Sequence, residues 1–183
     1  MSDKTITPLD VLDFWWQAGP SKWFSGDAKF DVKCRDRFQD ALEAAKTGAL
    51  DHWRETADGS LALLLLLDQM SRNIYRGTPE AFSSDPMAVS VATEAMEKGF
   101  DRAFPKEARG FFYLPFEHSE DMAHQEKAVD LSRLLGDKEF YHYALIHMDV
   151  IRRFGRFPHR NKILGRESTP DEDAFLKDGG FSA

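Results

Sequence analysis

The chain has 183 residues, enough for one domain with a full hydrophobic core, and its 42% hydrophobic content is that of a globular protein. Its net charge of −7 argues against general nucleic-acid binding, because that function needs a basic surface. The longest apolar run, residues 61–67, is too short for a transmembrane helix, which takes about 20 residues, so no membrane contact is expected.

The first residues and the cysteine content indicate where the protein works. Residues 1–7 are polar, and no basic cluster followed by an apolar run lies near the start, so no targeting segment is expected. A single cysteine, Cys34, excludes an internal disulfide framework and suits a reducing compartment. Its helical spacing with Phe30 and Phe38 favours a small core residue. The sequence therefore predicts a cytoplasmic protein.

Helix start and stop signals recur along the chain. Thr7 before Pro8 begins the first helix, and Thr169 before Pro170 begins the last. Between such signals, apolar residues recur at spacings of three and four, while charged residues such as Asp31 take the outer face. The predicted helices cover residues 8–18, 27–46, 61–75, 86–98, 115–135, 137–154 and a short stretch from 170 onward.

No stretch shows the strict alternation of a β-strand, so the sequence predicts an all-α fold. Short connections between successive helices predict antiparallel neighbouring pairs. We expect a single domain over residues 1–183, with a frayed C-terminal end from about residue 179.

The helix over residues 61–75 changes character along its length. Its first half is leucine-rich on every side, which predicts burial among other helices. Its second half is polar: one stripe holds Asp68, Arg72 and Arg76, and the next holds Gln69 and Asn73. This pattern indicates either a binding site or an internal ion pair between Asp68 and Arg72.

The helix predicted after Pro115 places polar side chains on its buried side. Glu117, His118 and Gln125 fall within the arc that apolar residues of the helix define, as do Asp121 and His124. A polar group turned inward costs a few kcal/mol unless it is paired. These residues therefore predict a closed internal network or a lined pocket.

Arginine is concentrated in residues 152–166, where no acid lies between Asp149 and Glu167. In an acidic protein, a local excess of positive charge selects anions. The preceding helix holds His147 in an otherwise apolar row, which is typical of a core histidine with one hydrogen-bond partner.

Several motifs resemble the uncharacterised domain-of-unknown-function family DUF924. The matching segments are residues 13–15, 68–77, 113–120 with Gln125, 154–161 and 164–166. The likeness covers nearly the whole chain. It implies a fold similar to that of tetratricopeptide-repeat proteins, an α-α superhelix of antiparallel helix pairs, and it implies no assigned activity.

Three polar clusters form the candidate site, and helical superhelices gather such residues on a concave face. The candidate ligand-binding residues are Gln69, Arg72, Asn73, Arg76, Tyr113, Glu117, His118, Gln125, Arg156, His159, Arg160 and Asn161. We hypothesise that Arg76, Arg156 and Arg160 face Glu117 and His118 across one pocket. Because arginine forks suit carboxylates and phosphates, the ligand expected is an anionic small molecule or an acidic peptide end. The alternative is that acids and arginines neutralise each other as a structural network.

The same residues allow other chemistries. Asp121 and His124, three apart, resemble half of a di-metal carboxylate motif, but no second such pair occurs, so neither a metal nor a cofactor is predicted. Ser119 cannot form a triad with its chain neighbours, because consecutive helical residues point apart. A hydrolase-type enzyme using general acid–base chemistry through His118 and Glu117, or metal-assisted chemistry, remains the alternative function.

Overall fold

The computed structural model describes residues 6–181, and within that range every regular element is helical and no strand occurs. The α-helices are α1 (Pro8–Ala18), α2 (Pro20–Trp23), α3 (Ala28–Lys46), α4 (Ala57–Leu64), α5 (Ser71–Ile74), α6 (Asp85–Glu97), α7 (Lys106–Arg109), α8 (Leu114–Glu117), α9 (Met122–Leu135), α10 (Lys138–Phe154) and α11 (Pro170–Lys177). Short 3₁₀ turns cover Asp51–Glu55, Pro79–Phe82, Phe100–Ala103, Gly110–Phe112 and Pro158–Arg160. The predicted all-α class is confirmed.

A π-helical turn joins α4 to α5, so residues 57–74 form one continuous helical rod. The π turn is Leu65–Met70, and the amide of Ser71 donates to the carbonyl of Leu66, five residues back. α1 and α6 pack on α4, while α3 packs on the π turn and α5. As the leucine-rich sequence predicts, this rod lies at the centre of the hydrophobic core.

The helix predicted from Pro115 to residue 135 is broken in the structure. α8 ends at Glu117, and α9 begins at Met122 with Asp121 as its N-cap. The carboxylate of Asp121 accepts hydrogen bonds from the amides of Ala123 and His124. Capping an N-terminus satisfies amides that have no partner within the helix. Because of this break, the orientation of the Glu117 and His118 side chains does not follow the helical period of α9.

A second, smaller hydrophobic cluster lies at the C-terminal end. α10 contributes Val150 and Ile151, which pack with Phe157 and with Phe175 of α11. Phe181 also packs against this cluster. Residues 182 and 183 lie outside the described range.

Four expectations concern the chain as a whole. Among the described residues, no helix is long and apolar enough to cross a bilayer. The absence of a targeting segment in residues 1–7 concerns a stretch of which residues 1–5 lie outside the described range. The tetratricopeptide-like superhelix and the single domain over residues 1–183 also stay predictions.

Candidate functional site

The π turn gives the site its buried acid. Asp68 lies within the turn and is fully enclosed. The backbone carbonyl of Asp68 accepts a hydrogen bond from Nη1 of Arg72 at 2.6 Å. The neighbouring carbonyl of Leu67 accepts from the hydroxyls of Ser71 and Ser84, at 2.8 and 2.6 Å. Side chains therefore bond to carbonyls of the widened turn, and such π turns occur frequently at functional sites.

Asp68 and His118 form a buried acid–imidazole dyad. Oδ1 of Asp68 lies 2.7 Å from Nδ1 of His118, and Oδ2 accepts from Gln69 at 2.6 Å. Burial opposes ionisation of Asp68, but His118 and Arg72 outweigh it and hold the pKa of Asp68 below its usual range. An ionised carboxylate only accepts hydrogen bonds, so Nδ1 of His118 carries the proton.

The outer nitrogen of His118 is available for chemistry. Burial, with the charge of Arg72, outweighs the opposing charge of Asp68 and lowers the pKa of His118 below 6.5, so the ring is neutral at pH 7. The side chain is 15% exposed, and within residues 6–181 its Nε2 has no hydrogen-bond partner. A neutral imidazole oriented in this way can accept a proton or a hydrogen bond at Nε2.

Arg72 and Asp85 border the dyad as a two-bond ion pair. Nη1 and Nη2 of Arg72 lie 2.9 and 3.0 Å from the two carboxylate oxygens of Asp85. Nη1 also lies 3.5 Å from Oδ1 of Asp68. The internal pairing of Asp68 with Arg72 that the sequence indicates is therefore present, but the closer partner of Arg72 is Asp85.

Arg160 is the under-bonded cation of the cluster. Its side chain is 8% exposed, and among residues 6–181 its one acidic contact is 3.5 Å from Nη1 to Oδ2 of Asp85. The guanidinium carbon lies between two phenyl rings, 4.6 Å from the centroid of Phe82 and 4.4 Å from that of Phe157. Across the described part of the chain, Nε of Arg160 is buried without a hydrogen-bond partner.

Arg160 keeps its charge despite this environment. Burial, followed by repulsion from Arg72, lowers the pKa of Arg160 to about 10. The guanidinium is therefore protonated at neutral pH. A buried cation with unused donors is costly unless a partner compensates it.

A second histidine pair lies beside the dyad. The ring of His147 is 6.0 Å from that of His118, and its Nδ1 lies 3.0 Å from Oε1 of Glu117 and 2.8 Å from the carbonyl of Tyr143. Burial, followed by the charge of Asp68, raises the pKa of Glu117 to about 8. Burial and the charge of His118 lower the pKa of His147 to about 3. Both side chains are therefore neutral at pH 7.

The structure takes Arg76 and Arg156 away from the pocket hypothesised from the sequence. Arg76 makes two bonds to Asp31, at 2.6 and 3.0 Å, and Asn73 donates to the same carboxylate. Asp31 is thereby buried, which corrects its assignment to the outer face of its helix. We interpret these contacts as structural, because Arg76 and Asn73 already donate hydrogen bonds to the carboxylate of Asp31.

Arg156 pairs with an acid on the last helix, α11. It makes two bonds to Glu172, at 2.6 and 2.7 Å, and Asn161 donates to the same carboxylate at 3.2 Å. Glu172 also closes the capping box of α11 with Thr169. Arg156 therefore does not face Glu117 and His118, and with Asn161 it fastens α11 to the preceding loop.

Three further candidates occupy distinct positions. The hydroxyl of Tyr113 donates to Asp101 at 3.0 Å. Gln125 is fully buried and donates to the carbonyls of Glu117 and Ser119, each at 2.6 Å, so it holds the end of α8 against α9. His159 lies beside Arg160 in the chain and contacts Phe157, with ring centroids 5.6 Å apart.

Sequence reasoning missed Asp85 as a member of the site. Asp85 directly precedes Pro86, and this position is already explained by the start of a helix. Nothing else in the sequence indicates that Asp85 pairs with Arg72. The apolar row around His147 predicts only a core histidine, and because α9 lies between Glu117 and His147 in sequence, no local pattern indicates their contact. The residues that the structure does gather are Gln69, Arg72, Glu117, His118 and Arg160.

Metal binding has no supporting constellation in the described residues, where no group of three or more His, Cys, Asp or Glu side chains could hold an ion. Asp121 serves as a helix cap, and Nδ1 of His124 lies 2.9 Å from the hydroxyl of Ser119. The half-motif that these two residues form in the sequence therefore has a local structural explanation.

The fold and the site together define a class: an all-helical protein in which a buried Asp–His dyad lies beside an under-bonded arginine. The chain belongs to the family described as bacterial protein of unknown function (DUF924), which matches residues 11–180. This confirms the resemblance seen in the motifs.

One solved structure is closely similar to this chain. It is that of the protein of unknown function ATU0120 from Agrobacterium tumefaciens, with 50% sequence identity and a TM-score of 0.91. The match covers 94% of this chain and 97% of that chain. None of the curated proteins matches.

Proposed function

We propose that this protein binds a small anionic molecule through Arg160, at the edge of the Asp68–His118 dyad. The observation that carries the proposal is the incomplete bonding of Arg160. A carboxylate or phosphate would supply the acceptors that its guanidinium lacks. A cytoplasmic location, which the single cysteine favours, is part of the same proposal.

Comparison with other arginines supports this choice. Four of them each make two bonds to one carboxylate: Arg72 to Asp85, Arg76 to Asp31, Arg156 to Glu172 and Arg166 to Glu120. Arg160 is more enclosed than any of these four and has the weakest acidic contact. If these arginines served only to neutralise acids, the unbonded N–H groups would be expected on an exposed arginine, where water can accept their hydrogen bonds.

We expect Arg160→Met to abolish anion binding without unfolding the protein. Asp85 keeps its two bonds to Arg72, so removing Arg160 leaves no unpaired acid. Replacing an enclosed cation by an apolar side chain of similar length is neutral or stabilising, by about 0–3 kcal/mol. Calorimetric titration with acetate and with inorganic phosphate, together with the melting temperature, measures both effects.

Arg156→Met is the matched control, because Arg156 is already satisfied by Glu172. It should bind the same anion as the parent, even where it melts earlier. Equal binding by the parent and by Arg160→Met would refute the proposal, and so would the absence of binding of both anions to the parent.

A second function is favoured by the dyad itself: general acid–base catalysis on the bound molecule. Nε2 of His118 is neutral, partly exposed and oriented by Asp68 through the 2.7 Å bond. It can take a proton from water while the resulting hydroxide attacks an electrophilic carbon, and the leaving group departs with the bond electrons. This adds a reaction to the binding site without requiring a metal.

We expect His118→Gln to lower the rate of p-nitrophenyl acetate hydrolysis about 100-fold, at the lower end of the usual range for loss of a general base. The rate of the parent should rise with pH through an apparent pKa below 6.5, because the neutral imidazole is the active form. His142→Gln, at an exposed position on α10, is the control and should retain the rate. Unchanged hydrolysis in His118→Gln would remove the catalytic function and leave the binding function standing.

A further inference from the structure

Phe181 covers two histidines next to the proposed anion site. Its ring centroid lies 4.4 Å from that of His147 and 5.7 Å from that of His159. Phe157 completes the arrangement at 5.5 and 5.6 Å from the same two histidines. We call these four residues the aromatic box. The guanidinium of Arg160 lies against its Phe157 wall.

A glycine turn brings Phe181 into the box. After α11, Gly179 has a positive φ of 79°, and the amide of Gly180 donates to the carbonyl of Phe175 at 2.8 Å. A Cβ atom on Gly180 would lie 2.4 Å from that carbonyl oxygen and 2.6 Å from the ring of Phe175. Any larger residue at position 180 must therefore displace the segment that carries Phe181.

An open groove lies on the other side of the Phe181 ring. It has a volume of about 340 Å³ and is lined by Phe181, by Phe175 and by α10 residues that include Ile146 and Val150. Phe181 thus borders both this groove and the box. Movement of one side chain would join the groove to the box.

We propose that Phe181 occupies a subsite for an aromatic ring, and that the ligand of this protein is a small aromatic carboxylate. The proposal rests on the proposed anion site: the carboxylate would pair with Arg160, and the ring would replace Phe181 between His147 and His159. Aromatic rings pair favourably in tilted or offset arrangements at centroid distances of about 4.5–7 Å, which the box provides. The segment 179–181 then acts as an internal competitor of the ligand.

Benzoate and acetate test the proposal, because they share a carboxylate and differ by a ring. Their dissociation constants are measured calorimetrically with the parent, Phe181→Ala and Gly180→Ala. Both variants should bind benzoate at least tenfold more tightly than the parent does, whereas acetate binding should not change. Gly180→Ala retains the phenyl ring, so it remains informative if Phe181→Ala folds poorly.

Phe24→Ala is the matched control, because Phe24 is 65% exposed and contacts Phe111 rather than the box. It should leave both dissociation constants unchanged. Acylation of histidines by diethyl pyrocarbonate, followed by peptide mass spectrometry, gives a readout that requires no ligand. His147 and His159 should react at least fivefold faster in Phe181→Ala and Gly180→Ala than in the parent.

The outcomes separate the two proposals. Acetate binding that depends on Arg160, combined with equal benzoate affinities in the parent and both variants, would reject the aromatic subsite alone. Failure of both carboxylates to bind any of the proteins would reject the anion site and, with it, the aromatic-carboxylate ligand. Unchanged histidine reactivity in both variants would show that Phe181 is not the cover of the box.

Discussion

Glu117→Gln is expected to stabilise the protein increasingly between pH 5 and pH 8. Glu117 is buried beside Asp68, and its pKa in the folded protein is about 8, against an ordinary value of 4.5. Glutamine has the shape of the protonated acid and can accept from Nδ1 of His147 through its side-chain oxygen. The substitution therefore keeps the neutral arrangement and removes the proton that the parent must retain.

The direction in which the free energy of unfolding changes with pH follows from proton linkage. Between pH 4.5 and pH 8 the unfolded chain has released the proton of Glu117, while the folded protein still holds it. The contribution of this group is therefore fully present below pH 4.5 and is lost as the pH rises towards 8. At about 1.36 kcal/mol per pKa unit, the variant should gain roughly 2–4 kcal/mol over the parent between pH 5 and pH 8.

Urea unfolding of both proteins at pH 5, 6, 7 and 8 measures this gain, since effects of the other titrating groups cancel in the difference. An ionised Glu117 paired with a protonated His147 would give the opposite result. In that case glutamine would lower the free energy of unfolding at every pH, by breaking a buried ion pair.

Leu65→Ala should reduce the free energy of unfolding by about 2–5 kcal/mol, the usual range for a fully enclosed leucine. Leu65 is 0% exposed at the first position of the π turn, where α3, α4 and α6 surround the chain. The loss combines the transfer of the side chain with the cavity that remains, because a close-packed interior relaxes only in part.

Leu134→Ala provides the comparison for this second prediction, because Leu134 is 79% exposed on α9. Its free energy of unfolding should stay within about 0.5 kcal/mol of the parent. Equal denaturation midpoints for Leu65→Ala and the parent would contradict the central position of the rod.

The helices were predictable where local signals decide them. Thr7 and Thr169 cap helices as their sequences indicate, and leucines on every side of residues 61–67 correspond to burial on every side. The break after Glu117 was not predicted, because apolar spacing continues across it. Asp121 is the signal that could have revealed it, since a helix-capping residue followed by an amphipathic stretch also marks a new start.

The site was predictable only in part. The sequence indicated Gln69, Arg72, Glu117, His118 and Arg160, because charges within buried helical arcs require a partner or a ligand. It could not indicate which acid each arginine meets. Asp31 and Arg76 are 45 residues apart, and Asp85 and Arg160 are 75 apart, so the fold rather than any local pattern decides these pairs.

The π turn also sets how insertions and deletions should act on this protein. Each residue of a helix advances the direction of the following side chains by about 100°. Because the π turn fits one more residue into a helical turn than an α-helix does, removing one residue from Leu65–Met70 would restore the ordinary period and leave the direction of α5 nearly unchanged. Removing one residue from α4 would instead turn α5 by about 100° relative to the start of the rod, so that Arg72 would leave Asp85 and Asn73 would leave Asp31. The π turn is therefore the place in this rod where the loss of one residue should disturb the polar pairs least.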